Sequence, residues 1–172
     1  TPPVDWLAIA PELALAGAQY FGGADFHEVA ERVLAAWPEN AEAEAYIGGM
    51  FVLSGEGVRG RALVADAIKW TSKAPSGYYA TSALGALREQ EYDEALSLAL
   101  RMDSPDWPLG QMILAAAGAL GGRPDLAKRA HERLIELEPT IATKLPDLLR
   151  RFRIDPVLAR EVERGFAAAA AP

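Results

Sequence analysis

Cysteine is absent from the chain's 172 residues, which excludes a disulfide framework, a redox thiol and a thiolate zinc site. A reducing cytoplasm is compatible with that absence and is the expected location. Histidine is scarce: His27 and His131 lie far apart in the sequence, and neither pairs with another histidine four residues away. No metal and no cofactor are expected. Long apolar runs are also missing, since none approaches the roughly 18–20 residues needed to cross a bilayer. Basic residues are outnumbered, 17 against 24 acidic ones for a net charge of −7. So acidic a surface argues against direct nucleic-acid binding and against an anionic membrane, both of which need a dense positive field. No G-x-S-x-G elbow occurs, and no Ser, His and acid cluster is suggested. Carboxylates such as Glu39, Glu42 and Glu44 gather at helix starts, where they complement the helix dipole. The chain is therefore read as a non-enzyme.

What is present is a globular composition, 51% hydrophobic and 24% charged. Charge is unevenly spread. Residues 140–172 hold two more basic than acidic side chains, so the net −7 leaves nine surplus acids to residues 1–139. Two solvated faces of ordinary helices are the favoured reading of this asymmetry, and packing of the mildly basic tail against the acidic body or a neighbouring acidic domain is the alternative. The opening Thr1-Pro2-Pro3-Val4-Asp5 has no signal-peptide layout and reads as a cut inside a longer protein.

Apolar periodicity is helical throughout. The first helix is expected over Asp5–Tyr20, with Trp6, Ile9, Leu13 and Ala16 on one side, and Gly22-Gly23 ends it. Phe26, Val29, Ala30, Val33, Leu34 and Trp37 trace a second amphipathic helix, closed by Pro38. Three further pairs follow: Ala41–Leu53 with Arg61–Lys73, Gly77–Arg88 with Asp93–Met102, and Leu109–Leu120 with Asp125–Glu138. Pro75, Pro108 and Pro139 punctuate them. Aligning Ala62, Ala95 and Ala127 gives a period near 34, the mark of a helix–turn–helix repeat array. Gly48-Gly49 inside a helix costs about 1 kcal/mol per glycine relative to Ala, so the pair implies close helix packing. Two more helices are expected over Thr140–Phe152 and Asp155–Phe166, the latter with Asp155 as N-cap and Pro156 at its first position. Ala167–Pro172 is expected to fray.

These blocks resemble tetratricopeptide repeats. The resemblance rests on Tyr46, Gly49 and Ala62 in the second block; Tyr79, Ala83, Tyr92 and Ala95 in the third; and Leu114, Ala115, Ala127, Leu134 and Pro139 in the fourth. Lys69, Met102, Asp66 and His131 depart from the pattern, and the first block fits loosely. The resemblance implies an all-α, right-handed superhelical stack of antiparallel helical hairpins, with residues 1–139 as the array and 140–172 as capping helices of the same unit. The tail, through Glu138-Pro139-Thr140, Leu145-Pro146, Phe152-Arg153 and Asp155-Pro156, resembles the ending of repeat regions in bacterial adenylate cyclase-like proteins and DNA-binding transcriptional regulators. That implies a regulatory or sensory region behind an N-terminal effector domain.

Gly55-Glu56-Gly57-Val58-Arg59-Gly60 is literally G-x-G-x-x-G, but a dinucleotide loop needs a preceding strand, and Tyr46–Leu53 reads as a helix. A hairpin turn is expected instead. Function is expected on the first-helix face, where Ile47, Phe51, Leu84, Leu87, Arg88 and Met112 would meet a protein or peptide segment. A carboxylate clamp is not expected, because the chain's single asparagine, Asn40, lies outside that face. Three alternatives stay open: coverage of this face by the chain's own helices, a small-molecule sensor using Arg88 and Gln111, and homo-oligomer assembly through the apolar face.

Overall fold

The structure, a computed structural model, describes residues 6–171. Thr1–Asp5, the side chains of Trp6 and Leu7, and Pro172 at the end of the stretch expected to fray lie outside the described residues. Ten helices and no strand occur among the described residues. They form four hairpins: α1 (Trp6–Gly22) with α2 (His27–Ala36), α3 (Ala41–Ser54) with α4 (Gly57–Trp70), α5 (Ser76–Arg88) with α6 (Tyr92–Leu100), and α7 (Pro108–Leu120) with α8 (Pro124–Leu137). The tail adds α9 (Ile141–Arg151) and α10 (Pro156–Ala169). Each second helix lies against the first helix of the next hairpin, and successive first helices touch one another. No hairpin buries its apolar face alone; its neighbour completes the core.

Three backbone features recur in register. A small buried residue on the first helix (Gly48, Ala83, Ala115) is followed seven residues later by a residue of positive φ (Gly55, Gln90, Gly122). Five residues beyond that stands a second small buried residue (Gly60, Ala95, Ala127). The middle residue closes a Schellman turn, with the next amide donating to a carbonyl five residues back: Glu56 to Phe51, Glu91 to Ala86 and Arg123 to Gly118. In the second hairpin the small pair faces itself: an added Cβ on Gly60 would stand 2.4 Å from the Gly48 carbonyl oxygen. In the fourth, Gly118, three residues after Ala115, brings α7 against Ala127, where an added Cβ would stand 3.3 Å from the Ala127 Cβ. The first hairpin keeps Ala16 and Gly23 at the same spacing and the same turn bond, Ala24 to Gln19, but its second small residue, Ala30, comes two residues later. The longer turn is why this block fits the repeat pattern loosely.

Three expectations are corrected here. Ala62 is exposed, and Gly60 occupies the tight position assigned to it. The second turn is only Gly55 and Glu56, because Gly57–Gly60 already belong to α4. Ala167–Ala169 do not fray; Ala169 is buried with Ala115, Ala127 and Ala130.

The tail repeats the turn without the close approach. Arg153 has φ +54, and Ile154 donates to Leu149, the same Schellman bond. Yet the positions equivalent to the small pair hold Pro146 and Leu158. Side chains of that size keep α9 and α10 apart. α10 turns instead onto α7 and α5, where Gly165 lets it reach Ala116: an added Cβ would be 2.7 Å from the Ala116 Cα.

The two adjacent glycines of α3 provide a test. A Cβ on Gly48 would meet the Gly60 carbonyl oxygen at 2.8 Å, whereas a Cβ on Gly49 meets nothing nearer than 3.9 Å. Gly48→Ala should therefore destabilise the fold by about 1–3 kcal/mol through overpacking. Gly49→Ala should stabilise it by about 0.5–1 kcal/mol through helix propensity. Urea unfolding of both variants checks the opposite signs.

Candidate partner-binding surfaces

The face of first helices expected to receive a partner is closed. Ile47 and Phe51 have no exposed surface. Phe51 is enclosed by Phe26 at 5.4 Å between ring centroids and by the Arg59 guanidinium, 4.0 Å above its ring. Leu84, Leu87 and Met112 are buried in one core with Leu158, Val162 and Phe166 of α10. Arg88 donates through Nη1 to Glu89 at 2.7 Å and through Nε to Asp155 at 3.1 Å. The assignment of these six residues to an open partner face is thus corrected. The periodicity marks an apolar face correctly, but α10 and the neighbouring hairpins already cover it. Gln111, the other polar group considered for a sensor pocket, is buried and donates to the Ser104 carbonyl. It does not converge with Arg88.

Polar contacts fix α10 at its N-terminus. The Asp155 carboxylate caps the helix by accepting from the amides of Val157 and Leu158, both at 3.1 Å, while it also accepts from Arg88. The Asp155 amide donates to the Leu53 carbonyl at 2.7 Å, which ties α10 to the end of α3. Six residues onward, Glu161 accepts from the Tyr92 hydroxyl at 2.9 Å and from Arg164 at 2.5 Å. Burial alone would push the Glu161 carboxyl up, but those hydrogen bonds outweigh it and hold the carboxyl below the usual range. Glu161 went unnoticed in the sequence. Its spacing of three from Arg164 is a common surface pattern, and the partner that gives it meaning, Tyr92, is 69 residues away. His131 packs its ring 4.8 Å from Phe166, as an interhelix packing residue should.

Toward the first hairpin, the Tyr20 hydroxyl donates to the carbonyls of Arg153 at 2.9 Å and Phe152 at 3.2 Å. Burial pushes its phenol up to about 12, so it remains a donor. His27 sits between two carboxylates, Nδ1 2.6 Å from Asp25 and Nε2 2.5 Å from Glu56. The hydrogen bond with Glu56, then that with Asp25, raises its pKa. Glu56 is also within 3.7 Å of Arg59, so this chain of charges links the start of α2 to the α3–α4 turn. Of the glycines in the G-x-G-x-x-G string, only Gly55 serves the expected turn, as the cap of α3, while Gly57 and Gly60 lie within α4.

An apolar surface does remain open on the opposite side. Val58, Ala62, Ala65 and Ile68 of α4 and Leu98 of α6 line a groove of about 530 Å³. Arg61, which pairs with Glu91, and Arg101, whose guanidinium lies 4.3 Å from the Tyr79 ring, stand at its rim. Among the described residues no helix is long and apolar enough to cross a membrane.

No protein-family model and no curated protein matches the sequence. Solved structures do match. The chain is similar to Pseudomonas aeruginosa pilF, with a TM-score of 0.67 and 20% identity over 96% of this chain and 78% of that one. It is also similar to MamA of MSR-1, with a TM-score of 0.63 and 20% identity over 93% and 91% of the two chains. MamA of RS-1 gives a TM-score of 0.66 at 11% identity, covering 94% and 93%. These likenesses establish the fold as a tetratricopeptide-type α-solenoid of helical hairpins.

Two outcomes are expected. Asp155→Ala removes the cap of α10, at a cost of about 1 kcal/mol, and Gly165→Val forces α10 away from Ala116. In both variants, hydrogen exchange should accelerate in α10 before it does in α3 and α4. The His27 bridge gives a pH dependence. Because its folded pKa is raised, its stabilisation is fully present below the unfolded value of about 6.5 and is lost as pH rises through the folded value. Urea midpoints measured across that window should fall for the wild type and stay flatter for His27→Gln.

Proposed function

We propose that this chain is a non-enzymatic protein-interaction scaffold that binds its partner on the outer α4–α6 groove. One observation carries this: the first-helix face is filled by the chain's own first hairpin and α10, and the α4–α6 groove presents small apolar side chains to solvent. Rigid hairpins support the reading, because binding to a preorganised groove loses little scaffold entropy. The floor of Ala62 and Ala65 suits close approach of a partner backbone, while Val58, 71% exposed, supplies an apolar rim. The wider setting, a regulatory repeat region of a larger bacterial regulator, is supported by the tail's resemblance in sequence.

A photo-crosslinker placed at Ala62 should capture a protein segment identifiable by mass spectrometry. That segment, once purified, should bind the chain in titration. Ala65→Glu should weaken it by about tenfold or more if the groove centre holds the contact. Equal capture from a crosslinker at exposed Lys128, or a titration unchanged by Ala65→Glu, would remove the groove from the proposal.

A further inference from the structure

We propose that the corner where α1 meets the α9–α10 turn is a second docking surface, for an acidic protein segment that presents one large apolar side chain. This surface is separate from the α4–α6 groove, and neither reading depends on the other.

Phe21 and Phe152 come from opposite ends of the sequence and meet edge to face, with centroids 6.2 Å apart and planes at 75°. Both are nearly half exposed, at 47% and 48%. Large exposed aromatics in contact form an apolar platform rather than scattered surface residues. Their position is fixed from beneath. The Tyr20 ring packs edge-on to Phe21 at 5.0 Å while its hydroxyl holds the carbonyls of Phe152 and Arg153. The platform is thus formed before any partner arrives, which lowers the entropy lost on binding.

Charge selects the partner. Arg151 and Arg153 flank Phe152 and are exposed. The acids near them are already engaged: Asp147 by Arg150, Asp25 by His27 and Asp155 by Arg88. Residues 13–24, the end of α1 and its turn, contain no charged side chain. The Arg153 guanidinium stands at the corner, against Gly23 of the α1 turn, Arg151 is exposed one residue before Phe152, and neither forms an ion pair among the described residues, on a chain whose net charge is −7. Guanidinium groups take carboxylates in two-pronged hydrogen bonds, and aromatic faces take an apolar anchor. A short acidic segment satisfies both. An extended anionic surface does not, because it would meet the acidic remainder of the chain.

The test uses the full chain and a fluorescein-labelled peptide of glutamates around one tryptophan, followed by anisotropy at low salt. Saturable binding is expected. Phe152→Ser should weaken it by about tenfold, as should Arg151→Glu combined with Arg153→Glu. Arg129→Glu, a charge change on exposed α8, should leave it nearly intact. Phe21→Ser provides an independent variant, and thermal melts followed by circular dichroism confirm that each variant is folded. Binding that persists when glutamine replaces glutamate, or alanine replaces tryptophan, would overturn the proposal. So would binding unaffected by the corner variants in folded protein, or binding to phosphatidylglycerol vesicles in place of the peptide.

Discussion

The architecture depends on how closely two helix backbones can approach within a hairpin. At Gly48 and Gly60 the approach is so close that neither position admits a methyl group without moving backbone atoms. Ala83 with Ala95, and Ala115 with Ala127, hold the same places with one carbon each and no exposed surface. Once this distance is set, the Schellman turn between the two positions sets the hairpin's length, and the length sets the register in which the next hairpin stacks. The period of the sequence is therefore a geometric quantity.

Breaking the same rule explains the tail. α9 and α10 share the turn but carry Pro146 and Leu158 where the small pair would be. A hairpin that cannot close leaves both of its apolar faces seeking other partners. α10 finds one across α5 and α7, and its Gly165 supplies against Ala116 the close contact that is missing within its own hairpin. Arg88, Asp155, Tyr92 and Glu161 then hold the helix by polar contacts that require this placement.

Much of the fold was legible in the sequence because it is local. Helices, prolines and turns follow from neighbours within a few residues, and the boundaries of α3, α5 and α7 match the periodicity within about two residues. The errors have a common cause. With Gly60 assigned to the turn, Ala62 is the small residue that opens the second helix in the sequence, whereas α4 starts four residues earlier and its backbone is too close at Gly60 even for alanine. Ile47, Phe51, Leu84, Leu87 and Met112 read correctly as an apolar stripe, but periodicity cannot tell a stripe facing solvent from one covered by the first hairpin, as at Ile47 and Phe51, or by α10, as at the other three. Arg88 looked available for the same reason; its partner lies 67 residues away. The Phe21 and Phe152 corner was hidden altogether, since its two halves are brought together only by the return of the tail.

A repeat array ordinarily behaves as a one-dimensional chain of neighbours, in which each unit gains only from the units beside it and the ends open first. The hydrogen bonds from Tyr20 to the carbonyls of Phe152 and Arg153 join the first hairpin to the last turn. They close that line into a ring of interactions. The first hairpin and the last turn are then not independent units, so loss of structure should be more nearly all-or-none than the repeats suggest. The closure also comes late in folding, because contacts separated by more than 130 residues must wait for the hairpins between them to form.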